Sequence, residues 1–393
     1  MNLTPEIEDG AIAITEGKIS FVGKTEDFLA VAHTNAGITI NAKGRSVIPG
    51  FVDAHTHLPF YGWRNAEVAR GRGKSYGNVI SEGGGIKASV REMGAASDAE
   101  LRSYTLHLLD HMHSFGTTTL EMKSGYSLTV PGELRELRII QELMQTSPLT
   151  IIPTCLAAHD VPDGYTSHEW VEEIIHRILP KVAQKKLAKM VDIYIEPFAF
   201  DVSDAKRLAE ASAALGLIPR AHTDQVNNIG GCREAVQLGF SSVDHLNQIN
   251  DDELGMLVKS TTAAVMLPGA DFTMREKLLP PARKLIDSGA LVVVSSNYNP
   301  GTSPIGAMPV IIGLACTLYD WTPKEAIAAA TINAAVSLGL GGERGSLEVG
   351  KAADLLILQD RWYEMIPYRM GHNPVSIVIK DGKITKNDLS IPM

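Results

Sequence analysis

VIPGFVDAHTH (residues 47–57) begins as an apolar, β-branched run and ends in two histidines separated by one residue. Alternate side chains of a strand face the same way, so His55 and His57 share a side, about 7 Å apart along the chain. Two neutral imidazoles converging at a strand end form a clamp for a divalent metal. A pair of partly exposed histidines would look the same, so the meaning of this one depends on the rest of the chain.

Seven further short apolar runs follow: TTTLEM (117–122), TIIPTCLAA (150–158), DIYIEPF (192–198), LIPRAH (217–222), SSVDHL (241–246), AAVMLP (263–268) and LVVVSS (291–296). Amphipathic stretches such as DAELRSYTLHLLDHMHSF (98–115) and DAKRLAEASAALG (204–216) lie between them, each opening on an Asp suited to cap a helix. Eight strand–helix units in about 250 residues predict an α/β fold, a (β/α)8 TIM-like barrel over residues 47–344 with its chemistry at the C-terminal strand ends. The flanks differ. AIAITEGKISFVG (11–23) reads as a hairpin, and GSLEVGKAADLLILQD (345–360) with SIVIKDGKIT (376–385) as strand–turn–strand. Residues 1–46 and 345–393 are therefore expected to combine into one small β-sandwich domain built from both termini.

Composition narrows the partners. With 36 basic and 45 acidic residues, a net charge of −9 and no basic cluster, the chain is not expected to bind nucleic acid or an anionic membrane. The N-terminus MNLTPEIEDG lacks the basic and apolar regions of a secretory signal, and no apolar run reaches membrane-spanning length, so a cytoplasmic location is expected. Cys155, Cys232 and Cys316 are odd in number and far apart, which predicts free buried thiols.

The polar residues that interrupt the apolar runs fall at strand ends. The fifth run closes on Ala221-His222-Thr223-Asp224 and the sixth on Asp244-His245. Four of the chain's 12 histidines thus stand at the ends of three strands, where a barrel places its active site. That concentration predicts one bound divalent metal.

VIPGFVDAHTH, the His222 and His245 strand ends and GSLEVGKAADLLIL resemble the amidohydrolase superfamily. The finer likeness is to the imidazolonepropionase family of histidine degradation. It extends over nearly the whole chain through HTHLPFYGWR, SEGGGI, GTTTLEMKSGY, AAHDVP, AHTDQVNNIGG, LPGADF and NPGTSP. The resemblance implies a barrel of the amidohydrolase type and a single zinc or iron held by His55, His57, His222 and position 297. It also implies a homodimer. Glu196 of DIYIEPF stands where many superfamily members carry a bridging lysine, so a second metal is not expected.

The resemblance further implies a small-molecule substrate with a carboxylate tail, a flat imidazolone bearing a propionate. Arg64 would grip the carboxylate with its planar fork. Tyr76 and Tyr126 would add hydroxyl donors and His159 would face the ligand, while Asn299, Gly301 and Thr302 would contact ring or product atoms. Gln225 could orient a ring nitrogen or a water but cannot accept a proton at neutral pH, which leaves His245 to polarise the substrate or move protons. Asp224 and Asp244 are expected to orient neighbours rather than bind metal.

One position departs from the family. LVVVSSNYNPGTSP (291–304) carries Asn297 where the family's catalytic aspartate is expected. Asn keeps the outline of Asp but carries no charge and takes no proton. The intact NPGTSP motif fits an isosteric exchange better than decay of the pocket. The expected activity is ring opening of 4-imidazolone-5-propanoate to N-formimidoyl-L-glutamate, slowed by Asn297. Hydrolysis or deamination of another carboxylate-bearing heterocycle and a non-catalytic ligand-binding role remain the alternatives.

Overall fold

The computed structural model describes residues 6–31, 37–70 and 84–388. Its first two strands, β1 (Gly10–Thr15) and β2 (Lys18–Lys24), pair antiparallel across Glu16-Gly17. Both turn residues have positive φ, 51° and 78°, as a tight hairpin turn requires.

The opening run is not one strand but two. Val47–Pro49 (β3) pairs antiparallel with Leu355–Leu358 of the small sheet, whereas Phe51–Asp53 (β4) enters the barrel. The break falls at Gly50, where a Cβ would lie 2.4 Å from Thr118 Oγ1, so only glycine lets the chain cross this close to its neighbour. The undivided strand 47–55 expected from the sequence is corrected accordingly: apolar residues run through the crossing because the first half is at least half-buried and the second fully buried.

The barrel continues through β5 (Thr117–Lys123), β6 (Thr150–Ala158), β7 (Met190–Ile195), β8 (Ile218–Thr223), β9 (Ser242–His245), β10 (Ala263–Met266) and β11 (Val292–Val294). These strands are parallel and lie in sequence order from β4 to β11. The first and last meet just beyond their ends. Thr56 bridges Tyr298, Asn297 N–H donates to His55 O (3.0 Å), and His57 N–H donates to Tyr298 O (2.9 Å). The Asp53 carboxylate reinforces this seam by accepting the Ser296 N–H (3.0 Å) and hydroxyl (2.5 Å). Barrel closure therefore runs through the residues that flank the metal-binding candidates.

Helices cover the outside. Two of them are capped earlier than the sequence suggested. The helix Asp98–Ser114 is capped by Ser97 in a capping box with Glu100, and Val202–Ala214 is capped by Asp201, whose carboxylate accepts the Asp204 N–H. The caps are thus Ser97 and Asp201 rather than Asp98 and Asp204, because a cap must precede the first helical residue to reach the N–H three positions on.

β12 (Leu355–Leu358), β13 (Val375–Lys380) and β14 (Lys383–Asn387) join β3 in a four-stranded antiparallel sheet. Ile19 of the N-terminal hairpin packs with Leu355, Ile357, Ile377 and Ile379 of this sheet in one apolar cluster. The two ends of the chain thus share a small β core beside the α/β barrel. Cys155 and Cys232 are buried and Cys316 half-buried, all as free thiols.

Candidate metal centre and substrate pocket

The four histidines picked out in the sequence meet at the barrel mouth, all buried. His57 Nε2 lies 3.2 Å from His55 Nε2 and 3.2 Å from His222 Nε2. Two nitrogens each about 2.0–2.1 Å from one ion, at an angle near that of a tetrahedron, stand about 3.3 Å apart. Each outer ring is held from behind. Asp244 Oδ2 sits 2.5 Å from His55 Nδ1, and Asp192 Oδ1 sits 3.0 Å from His222 Nδ1. A carboxylate at Nδ1 keeps the proton there and leaves Nε2 as a lone pair facing its neighbours. Burial also holds the His55 and His57 imidazoles well below their usual pKa and therefore neutral. Converging lone pairs of this kind fit a cation.

Asn297 lines the same pocket as His57, His222 and His245. Its Oδ1 is buried and has no hydrogen-bond partner among the described residues. The backbone is strained around this rim: φ is 53° at Asp224, 85° at His245, 65° at Leu246 and 52° at Asn297. Non-glycine residues in the left-handed region cost on the order of 1–3 kcal/mol each and gather where geometry must be held for function. His245 approaches His55 and His222 with ring centroids at 6.1 and 5.7 Å, and burial lowers its pKa to about 3.

The pocket above the histidines receives most of the other expected residues. Arg64 is 8% exposed, and its Nε and Nη1 are buried without a hydrogen bond among the described residues. Its guanidinium passes directly over Gly301, where a Cβ would lie 1.7 Å from Nη2. Gly301 therefore makes room for the guanidinium. Tyr126 and His159 stand together, 5.2 Å between ring centroids, and His159 stacks on His57 at 4.9 Å and 22°. Gln225 lines the pocket with its Oε1 accepting the Tyr194 hydroxyl (2.8 Å). Asn299 and Thr302 also line it, but the Asn299 amide is engaged by the loop itself, accepting the Gly301 and Thr302 N–H groups at 2.9 and 2.7 Å. Tyr76 lies outside the described residues. No carboxylate is found among the lining residues described.

The amidohydrolase family model matches residues 46–385. An imidazolonepropionase from Symbiobacterium thermophilum is 42% identical over 383 residues, covering 96% of this chain and 90% of that protein. This chain belongs to the imidazolonepropionase family. Among solved structures, a 5-methylcytosine deaminase from Klebsiella pneumoniae superposes with a TM-score of 0.76 at 16% identity, covering 99% of this chain and 97% of that one. A zinc-bound adenosine deaminase from Xanthomonas campestris gives 0.69 at 16% identity over 100% and 91%. At such identities these two likenesses speak for the fold alone. As a member of the imidazolonepropionase family, the chain is a hydrolase of a cyclic C–N bond.

Beneath the histidines lies a charged layer of which the sequence reading singled out Asp244 alone. Lys123 contacts Glu121 (2.6 Å) and Asp192 (2.7 Å), while Arg220 contacts Glu121 (2.8 Å) and Asp244 (2.9 Å), and all five side chains are fully buried. Three carboxylates against two cations leave one uncompensated negative charge under the imidazoles, which favours a metal cation above them. The signal was present: Glu121 and Lys123 in TTTLEMK and Arg220 in LIPRAH are charges inside otherwise apolar strands. Glu196 has another task. Its carboxylate accepts the N–H groups of Gln225 (3.0 Å), Val226 (2.8 Å) and Asn227 (3.1 Å), fixing the loop that carries Gln225.

Proposed function

We propose that the chain opens the ring of 4-imidazolone-5-propanoate by hydrolysis, giving N-formimidoyl-L-glutamate, and that Asn297 slows the reaction. The observation that carries this reading is Arg64, a buried guanidinium in the same pocket as His57, His222 and His245, whose Nε and Nη1 make no hydrogen bond among the described residues and whose nearest described carboxylate, Glu67, stands 3.8 Å from Nε. A planar fork of that kind suits the propionate carboxylate.

His55, His57, His222 and the Asn297 amide oxygen would hold one zinc or iron. Such an ion supplies Lewis acidity and brings the pKa of water toward neutrality. The chain's own residues do the rest. Arg64 anchors the tail and Tyr126 offers its hydroxyl to the ring. His159 donates from Nδ1 to Gly125 O (3.0 Å), so Nε2 is left as its acceptor. Gln225, with its oxygen engaged by Tyr194, presents its NH2 group as a donor. His245, kept neutral by burial, is free to take up a proton as water adds across the C–N bond. Asn297 cannot share that task.

Elemental analysis of the purified protein, run beside an assay on imidazolone propanoate, tests both halves. A metal-loaded protein that neither hydrolyses nor binds this compound would refute the reading. A lining without a carboxylate among the described residues also suits a non-catalytic binder, and tight binding with no turnover, even after Asn297→Asp, would favour that second reading. The absence of turnover with a panel of related heterocycles would exclude the alternative substrates. No helix among the described residues is long and apolar enough to cross a membrane. The reading places the enzyme in the cytoplasm as a homodimer, with the barrel at residues 47–344 and the small domain at 1–46 and 345–393.

A further inference from the structure

The loop that carries Tyr126 is folded around two side chains of the helix that follows it, Val130–Thr146. Glu136 Oε2 accepts the Gly125 N–H (3.0 Å) and the Tyr126 N–H (3.4 Å), and its Oε1 accepts the Ser127 hydroxyl. Glu133 Oε1 accepts the Ser127 N–H (3.2 Å) and the Leu128 N–H (2.8 Å). Four successive backbone N–H groups thus converge on carboxyl oxygens that the protein itself supplies. Three residues apart, the two carboxylates share one face of the helix, and both are fully buried.

The packing around this loop is close. A Cβ on Gly132, in the first turn of the helix, would lie 2.4 Å from Ser127 Cβ. Gly125 has φ 126°, and a Cβ there would meet Leu156 O at 2.7 Å and His159 Cβ at 3.2 Å. The same glycine's carbonyl accepts from His159 Nδ1. One peptide therefore fixes two pocket groups, the Tyr126 ring on one side and the His159 ring on the other. Burying two carboxylates on adjacent turns is costly: burial raises both, Glu133 to about 7 and Glu136 well above the usual carboxylate range, where the neighbouring Glu133 adds to the effect.

We infer that Glu136, supported by Glu133, is a positioning residue for substrate binding: it sets the Gly125–Tyr126 backbone and, through it, the Tyr126 hydroxyl and the His159 ring. The inference rests on the pocket's being the imidazolone site. Its test is the affinity of the metal-loaded protein for imidazole propionate, measured by calorimetry with metal content and melting temperature recorded for every variant. Glu136→Ala is expected to weaken binding about ten- to a hundredfold at unchanged metal content. Glu136→Gln should restore affinity to within about threefold, because its amide oxygen can accept the two N–H groups and its NH2 can face the Ser127 oxygen. Should the alanine variant fail to fold, Glu136→Asp decides: it keeps the carboxyl group, shortens the reach by one methylene, and is expected to lose about tenfold. Parental affinity in the alanine or aspartate variant overturns the inference, as does a glutamine variant no better than alanine. If the unsubstituted protein binds no imidazole propionate, the reading of the pocket falls first and this inference with it.

Discussion

Asp244 Oδ2 lies 2.5 Å from His55 Nδ1, sealed from solvent, and Arg220 donates to the same oxygen from 2.9 Å. A carboxylate in that place fixes the imidazole tautomer and makes the opposite nitrogen a better metal ligand. Asp244→Asn keeps the outline, but its amide cannot serve both the His55 N–H and the Arg220 guanidinium as a charged oxygen does. Metal affinity is expected to fall about ten- to a hundredfold. Zinc and iron retained per chain after dialysis against graded chelator give the answer, and unchanged retention would detach Asp244 from the metal centre.

Arg64 and Gly301 form a second testable pair, since the guanidinium occupies the space that a side chain at 301 would need. Arg64→Ala should weaken binding of a propionate-bearing ligand about ten- to a hundredfold, the worth of a charge-assisted contact of about 1.5–3 kcal/mol. Arg64→Lys should recover only part of this, lacking the planar fork. Gly301→Ala should mimic the loss by displacing the guanidinium, although residue 301 itself contributes no polar side chain. Calorimetric titration of the three variants checks the set; equal affinity throughout would return Arg64 to a structural role.

The barrel and its ring of histidines were legible because buried parallel strands are near-continuous apolar runs, and a histidine ending such a run stands out. The division at Gly50 was not, since both halves of VIPGFVD are apolar and at least half-buried, and periodicity does not register a change of sheet. Nor was the anchoring of Gly125–Leu128. Glu133 and Glu136 sit in VPGELRELRII with the spacing of an ordinary solvated helix face, and only the fold turns that face toward the loop. The charges of Glu121, Lys123 and Arg220 lay in plain view within apolar strands. Glu121 and Lys123 pair within one strand, but Asp192, Arg220 and Asp244 join them from other strands, and pairing at that distance along the chain leaves no local pattern.

Glu133 makes stability depend on pH. Its carboxyl, raised by burial from 4.5 to about 7, binds its proton more tightly in the folded chain than in the unfolded one. The stabilisation this gives is complete below pH 4.5 and is lost as pH rises through about 7. Between pH 5 and 8 the loss should amount to about 2–3 kcal/mol. Glu133→Gln has no proton to lose there and should melt with a visibly flatter pH profile. Parallel profiles in the two proteins would show that Glu133 does not titrate in this window.

At Asn297 shape and charge can be separated. Its N–H donates to His55 O (3.0 Å) and its carbonyl accepts from Asn299 Nδ2 (2.7 Å), contacts that Asp would keep. The Oδ1 atom, buried and without a hydrogen bond among the described residues, is the part that Asn297→Asp would change in charge. The substitution supplies an anion in the pocket lined by the imidazoles of His57, His222 and His245 and a group able to take a proton from water and return it to the departing nitrogen. Metal affinity should rise, and turnover of imidazolone propanoate should increase by about 10² or more. The two proteins must be compared at measured metal content, so that a gain in loading is not mistaken for a gain in chemistry. A fully metallated Asn297→Asp variant no faster than its parent would mean that the proton travels by His245 or that the ring is a different one, and the role assigned to position 297 would then be abandoned.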